Sequence, residues 1–535
     1  MTPLSSGVVA IVEEARPSRL GSRRPDAPPQ LGDRFRALLE APWLVPVLLP
    51  ALTLLSLFIR TRQLHAGFWI DEGISVGIAH EHWSSIPHLL REDGSPPLYY
   101  MLLGLWVRVF GDSEAATHTL SLVFGLACVP LSYFAGRAVF GRVTGIACAI
   151  LTALDPFLTY YAQETRMYEL EALLSLVVAW SYVEGILRAR RAWIPLFVVS
   201  TAALAYSHNW GLFLCFGLAV ATVVLARERL RLFAAAAAGI AVLYAPWVPT
   251  LLFQAKHTGA PWSTRPSVHD LVLSAGSVIG GDTPFVALAL VGGAALGGLV
   301  LHERTRERRE IVALLTTIGA TVAVAFVSSQ ISPAWTSRYF AVLFGPVILL
   351  AGHAIARARG LGLATLVALV FLFAGYSVRN DKENARGIMA GIRPYLKPGE
   401  LIISTHPEQV PVLRYYTGPG YRWATTLGRD PDPLIFDWRD AVARLRAAKE
   451  KATLDSLLAT VPPGGEFVVV APVFRDYRAW RAKWTKLVWR KANDWSWLLE
   501  HDPRVSVVAH VRSDEIALKE NYFKPLQAFV YRMAR

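Results

Sequence analysis

Apolar runs of about 18–22 residues recur through the first 380 residues of this chain, separated by short polar loops. Runs of that length cross a bilayer, so the chain cannot be a string of soluble domains. Eleven are readable, at 42–60, 114–136, 142–161, 167–187, 193–207, 210–226, 232–253, 283–301, 310–328, 339–356 and 360–377. Composition agrees: 18% of residues are charged and 53% hydrophobic, where soluble domains carry about a quarter charged residues. The expected class is a polytopic α-helical membrane protein.

The loops form two alternating sets. "GRAVFGR", "RARR", "RERLR", "HERTRERRE" and "RARG" are dense in arginine, whereas "YAQETR", "SHN", "QAKHTGAPWSTRPS" and "QISPAWTSR" carry few or no basic residues. The positive-inside rule puts the first set, with the basic N-terminus, in the cytoplasm. One further run, "PPLYYMLLGLWVRVFG" at 96–111, is short, opens with two prolines and carries Arg108. Were it to cross, every later loop would invert and the rule would fail five times. It is therefore read as an interfacial helix. The expected topology has eleven spans in the plasma or inner membrane, the N-terminus inside and the C-terminus outside.

The net charge of +13 does not point to nucleic acid, because the arginines sit between apolar runs. Cys128, Cys148 and Cys215 all lie inside apolar runs, which excludes a disulfide framework or zinc site. Residues 1–41 are polar, rich in Pro and Arg, and predicted disordered. No apolar segment follows closely enough for a cleavable signal, so the first span reads as the anchor. The membrane domain covers 42–379, with a first external loop at 61–113, and 380–535 forms an extracytoplasmic α/β domain.

Unusual polar residues gather on the external side. "GFWIDEGISVG" (67–77) places Asp71 and Glu72 directly after the first span. Such a pair can simply solvate a loop start; beside "FWI" one carboxylate can also become a general base. "DPFLTYYAQETRMYELEALL" (155–174) packs Tyr160, Tyr161, Gln163, Glu164, Arg166 and Tyr168 into nine residues. A guanidinium among tyrosines at a bilayer surface is a holder for a lipid phosphate, or else an interface anchor. "YSHNWG" adds His208 and Asn209, and "SPAWTSRYF" adds Arg338 and Tyr339, which otherwise read as a capped helix with an aromatic belt. Lys256, His257 and Trp262 lie in the longest mid-chain outer loop, where Trp262 can stack on a sugar or an isoprenoid. His82, His88 and Asp93 read as solvated, and Pro96 and Pro97 as a helix start. Ionisable groups are nearly absent from the central thirds of the spans, whereas a transport path buries them there. Two arginines suit a phosphate leaving group and a carboxylate suits deprotonation of a hydroxyl, which together describe sugar transfer from a lipid-phosphate donor.

These residues resemble a known group. The Asp-Glu pair in the first external loop, "SPPLYY" opening a second juxtamembrane helix, "YAQETRMYEL" after the third span and "SRYF" before a late span look like the GT-C fold. Within it they are most similar to glycosyltransferase family 39 in the wide sense, the group of protein O-mannosyltransferases and the lipid A aminoarabinose transferase. The resemblance covers about residues 42–377. It implies an inverting transferase using polyprenyl-phosphate sugars at the external face, with Asp71 as base. It implies Arg166 and Arg338, with Tyr168 and Tyr339, at the donor phosphate; Glu72 and Glu164 are both candidates for a second acidic residue that orients the base or binds the acceptor, a choice the resemblance leaves open. Tyr161, Gln163, His208, Asn209, Lys256 and Trp262 are the candidate substrate-binding residues. Some members of the wider fold use a divalent metal; no ligand set has metal spacing here, and no cofactor is expected to be required. The expected partners are a polyprenyl-phosphate-linked sugar, an external glycan, lipid or protein acceptor, and the bilayer. A flippase or exporter of lipid-linked glycans, and a lipid-linked oligosaccharide ligase or polymerase, are the competing readings.

Beyond 380, "ELIIST", "EFVVVAP" and "RVSVVAHVR" read as strands and "DWRDAVARLRAAKEKATLDSLLATV" as one amphipathic helix. The 478–499 segment alternates basic residues with Trp, and either rests on anionic lipid or glycan or packs on its own domain.

Overall fold

The computed structural model describes residues 39–274, 276–302, 305–376, 378, 382, 384–474, 480–512 and 525–535. The stretch expected to be disordered lies outside them up to residue 38. Contacts cluster into two units, Met1–Leu48 and Leu49–Arg535, and the second holds both the sheet and the candidate site.

Each of the eleven apolar runs contains a helix. Among the described residues, five are long and apolar enough to cross a membrane: Glu114–Phe140, Tyr168–Leu187, Arg227–His257, Arg306–Ile331 and Ser337–Arg357. Val268–Ile279 and Asp282–Gly297, bent by 84°, make a sixth if they form one span. Leu44–Arg60, Arg142–Leu154, Trp210–Leu225 and Arg359–Ala374 are shorter apolar helices. The run expected to lie at the interface is the 13-residue helix Leu98–Phe110.

The run read as one span over 142–161 is broken. Asp155 ends Arg142–Leu154 and caps Pro156–Tyr161, its Oδ1 accepting from the amides of Phe157 (2.8 Å) and Leu158 (3.2 Å). A carboxylate N-cap followed by proline at the first position is a strong helix start, which overrides the continuous apolar pattern.

The C-terminal part is a six-stranded sheet of β1 (Leu401–Ser404), β2 (Arg422–Thr425), β3 (Gly428–Asp430), β4 (Glu466–Pro472), β5 (Val505–Val511) and β6 (Leu526–Met533), ordered β3-β2-β1-β4-β6-β5. β1 pairs in parallel with β2 and β4, and the remaining pairs are antiparallel. The helix expected over 437–461 is two, Ala441–Ala447 and Glu450–Leu458. Lys491 of the neighbouring helix Lys483–Glu500 holds the break, donating to Ala448 O and to Glu450 Oε1, both at 2.6 Å. That helix packs on its own domain, burying Trp484 and Trp495 completely and leaving Trp489 and Trp497 exposed.

The sheet does not stand apart from the loop at 61–113. Phe68 and Val76 of that loop belong to the same buried cluster as Ile402, Val412, Trp423 and Val468. The approach is close enough that a Cβ on Gly77 would stand 1.8 Å from Leu434 O. The helix Ile70–His80 is thereby held against the C-terminal domain.

Candidate active site

Asp71 lies in the first turn of Ile70–His80. Its Oδ2 is 3.2 Å from Arg338 Nη2 and 3.9 Å from Arg166 Nη2, and its side chain stays 22% exposed. Arg166 is fixed from several sides: its Nη1 donates to Ser75 Oγ (2.9 Å), the Tyr100 hydroxyl (3.2 Å) and Asp71 O (3.3 Å). Arg338 is held over rings instead, its guanidinium carbon 5.2 Å from the Trp69 centroid, 5.8 Å from Tyr339 and 6.0 Å from Tyr168.

The segments that carry the two arginines are tied together below the site. Ser175 Oγ donates to Val342 O at 2.6 Å and accepts from Gly345 N at 3.0 Å. A Cβ on Gly345 would lie 2.3 Å from Ser175 O, so only glycine permits this approach. Both guanidiniums are always charged. Burial opposes the charge on Arg166, but Tyr100 and Asp71 outweigh it and push its pKa up.

His208 completes the wall. Its ring centroid is 4.4 Å from Tyr339 and 6.4 Å from Tyr168. Its Nδ1 accepts from Trp210 N at 3.2 Å, so a neutral ring carries its proton on Nε2. Burial first, and then the positive Arg166 and Arg338, lower its pKa to about 3. Asn209 Oδ1 is buried and has no hydrogen-bond partner among the described residues. The Tyr161 ring packs between Phe157, tilted at a centroid distance of 4.5 Å, and Tyr168, edge to face at 4.8 Å.

Glu72 faces a different set of groups. Its Oε1 accepts from His118 Nε2 (2.7 Å), Thr165 N (2.8 Å) and Lys382 Nζ (3.0 Å), while Oε2 lies 2.9 Å from Lys382 Nζ and accepts from Trp69 N at 3.3 Å. Burial alone would raise its pKa, but Lys382 and His118 outweigh that and bring it to about 2. His118 Nδ1 is 2.7 Å from Leu64 O. A neutral ring donates to only one of these two acceptors, Leu64 O and the Glu72 carboxylate, and Lys382 Nζ lies 3.4 Å from Nε2. Lys382 also donates to Gln163 O at 2.9 Å.

Glu164 is the second buried carboxyl. Among the described residues its Oε2 has no hydrogen-bond partner, and burial pushes its pKa to about 8, against the pull of Lys382. The shift favours the protonated form, whose hydroxyl can donate a hydrogen bond. Gln163 acts as a clamp, its Nε2 donating to Thr159 O (2.7 Å) and its Oε1 accepting from Gln63 N (2.5 Å).

Two residues anticipated at the site lie elsewhere. Trp262 packs on Trp438 of the C-terminal domain, ring centroids 4.5 Å apart. Lys256 is exposed in the last turn of Val248–His257, beside His257, whose Nδ1 is 3.1 Å from Asp440 Oδ2. Conversely, Ser75, Tyr100, His118 and Lys382 are site neighbours without an individual signal. "SPPLYY" carried Tyr100 only as part of a helix start, and Lys382 reads as one more lysine after the last span. Among the described residues, no three His, Cys, Asp or Glu side chains converge as a metal-ligand set.

Membrane-length helices, a first loop of short helices carrying the acidic site, and a terminal sheet packed on that loop define a membrane protein of the GT-C fold. ArnT from Cupriavidus metallidurans in the apo state superposes with a TM-score of 0.59 and 16% identity, covering 91% of this chain and 97% of its own. The same protein bound to undecaprenyl phosphate gives 0.58 and 15% identity, covering 92% and 98%. AglB from Archaeoglobus fulgidus, in complex with an inhibitory peptide and a dolichol-phosphate, gives 0.49 and 10% identity, covering 80% and 70%. At these identities the likeness is one of fold. The sequence matches no family profile and no curated protein.

Proposed function

We propose that this protein is an inverting glycosyltransferase moving a hexosyl or pentosyl group from a polyprenyl phosphate to a hydroxyl of an external glycan, lipid or protein. The observation that carries this reading is the meeting of Asp71 with Arg338 and Arg166 within 4 Å, walled by Trp69, Tyr168 and Tyr339. Its support from outside is the shared fold of ArnT, whose structure holds undecaprenyl phosphate.

In the free protein Asp71 occupies guanidinium donors that suit a phosphate. A donor phosphate takes them over, because two arginines bind its oxygens better than one partly exposed carboxylate does. Asp71 Oδ2 is then free to accept the proton of the acceptor hydroxyl as its oxygen attacks the sugar C1. The C1–O bond to phosphate breaks, and polyprenyl phosphate leaves with its new charge on Arg166 and Arg338. Glu72 does not share this chemistry in our reading. Enclosed by Lys382, His118 and Thr165, it positions Asp71 one residue away. Glu164, neutral, offers a proton to an acceptor or donor oxygen, and His208 with Asn209 borders the sugar.

The same reading puts the site on the external side of the plasma or inner membrane, with eleven spans, the N-terminus inside, and the domain from 380 onward outside. Its rivals are a flippase of lipid-linked glycans and an oligosaccharide ligase or polymerase. The test uses purified protein in nanodiscs with a panel of polyprenyl-phosphate sugars and cell-envelope acceptors, wild type beside Asp71→Asn. Donor loss with release of polyprenyl phosphate, abolished in the variant while donor binding persists, supports transfer and names the sugar. Binding without turnover in wild type moves the assignment to transport, and turnover only of diphosphate-linked oligosaccharides moves it to a ligase.

A further inference from the structure

The face of the membrane domain opposite Asp71 carries a second concentration of guanidinium groups, arranged around space. The helix Tyr168–Leu187 has Tyr168 of the candidate active site at one end; 20 residues on, roughly 30 Å at about 1.5 Å per residue, it meets Arg188. Arg306–Ile331 and Ser337–Arg357 likewise run from that face toward the Arg338 side. Two adjoining cavities open there, of about 330 and 540 Å³, with Arg188, Arg190, Arg306 and Glu310 in the walls of both. Arg229 and Arg309 extend the first, and His353 and Arg357 the second.

The arginines divide into a fixed one and a set at the mouth. Arg188 is nearly buried, and its donors are consumed by Glu184, Glu310, Ala138 O and Val139 O at 2.6–2.9 Å. That lock closes a π-helical turn, Tyr182–Leu187, and Arg190, three residues on, stands in the walls of both cavities. Arg190 and Arg306 are more than half exposed; among the described residues each side chain has one contact, to Glu184 Oε2 (2.7 Å) and Glu310 Oε1 (3.0 Å), and the rest of each fork faces no partner. Six arginines line the two cavities against Glu307 and Glu310; Glu184 and Glu228 stand behind. Among the described residues, even with all four carboxylates counted, positive charge remains in excess, and it is concentrated at the shared mouth. Beside it, Phe140 stacks on His353 with centroids 4.1 Å apart, giving the larger cavity an apolar wall.

We infer that this double cavity is a binding site for a phosphate ester, with Arg190 and Arg306 as its forks. Planar guanidiniums with unused donors at a membrane face fit a phosphate, and a basic pocket between helices at that depth is where an anionic lipid headgroup reaches. A soluble phosphate compound presents the same group, and the test separates the two.

The experiment places wild type, the double variant Arg190→Ala/Arg306→Ala, and a control, Arg191→Ala/Arg231→Ala, in phosphatidylcholine nanodiscs. The control removes two exposed arginines that line neither cavity. Thermal unfolding is followed by tryptophan fluorescence while phosphatidylglycerol is raised in one arm and inorganic phosphate in the other. The expected result is a saturable rise in Tm for wild type and control, with half-saturation weakened about tenfold or more in the cavity variant. A response confined to the phosphatidylglycerol arm assigns the site to a lipid headgroup, and one in the phosphate arm to a soluble ester. Equal responses from the two double variants, or none from wild type in either arm, overturn the inference.

Discussion

Lys382 Nζ and the Glu72 carboxylate lie 2.9 Å apart, both buried, although 310 residues separate them in the chain. The contact ties the segment after the last apolar run to the residue beside Asp71. Removing one partner leaves the other charged and buried, which costs about 3–5 kcal/mol. Lys382→Met is therefore expected to lower thermal stability sharply, and Lys382→Met/Glu72→Gln to recover part of it. Equal Tm values for wild type and Lys382→Met would refute the pairing.

The same network predicts an acid limit. Glu72 sits at about 2 in the folded protein, below its ordinary 4.5, so the unfolded state binds the proton first as pH falls. The stabilisation is complete above the unfolded value and is lost between about pH 4.5 and 2. Unfolding midpoints measured from pH 6 to 3 should fall more steeply for wild type than for Lys382→Met/Glu72→Gln.

Glu164 has the opposite sign. Raised to about 8 by burial, it holds its proton in the folded state where the unfolded chain has lost it, so stability declines as pH climbs from about 4.5 to 8. Glu164→Gln mimics the protonated form and should flatten that decline. If the neutral form serves transfer, the variant also keeps activity and loses the alkaline limb of the rate profile near pH 8. Complete inactivity of a folded Glu164→Gln at every pH would mean that the carboxylate is required.

Arg166 and Arg338 should fail differently. Arg338 rests mainly on rings, so Arg338→Lys is expected to fold and to lose polyprenyl-phosphate affinity and transfer by about 10²–10³-fold. Arg166 also holds Ser75 and Tyr100, so Arg166→Lys should lose stability as well. Asp71→Asn should reduce turnover by about 10²–10⁴-fold with donor binding intact. Parallel titrations and single-turnover assays separate these outcomes.

Gly77→Ala tests the contact between sheet and loop. Its new methyl group would stand 1.8 Å from Leu434 O, and overpacking of that kind costs about 1–3 kcal/mol or more. Limited proteolysis should cut the C-terminal domain faster, with activity falling although Asp71 is untouched.

Much of this was legible in the chain, for a physical reason: membrane helices and their loop charges are local properties. "YAQETRMYEL" and "SRYF" carry Arg166 and Arg338, the expected phosphate holders, and in the structure each stands within 4 Å of Asp71. Long-range satisfaction of buried charge was not legible. Nothing near "NDKEN" says that Lys382 answers Glu72 and Gln163 O, and nothing near "RAAKEK" says that Lys491 will take the carbonyl at a helix break. Trp262 looked available to a ligand because its partner, Trp438, lies in a domain whose docking the sequence does not encode locally. β2 and β3 escaped because four and three residues are too few to show alternation, and the eight-residue β6, paired on both sides, because "LQAFVYRM" shows no clean alternation.

Phe68 and Val76 share their core with Val468 of β4 and with Ala528 and Val530 of β6, all of which come after every apolar run. The ribosome therefore has to make residue 530 before the loop that carries Asp71 acquires all its packing partners. A nascent polypeptide can insert all its spans and still have an unsecured first loop, so the order of synthesis itself delays completion of the site until the sheet has formed.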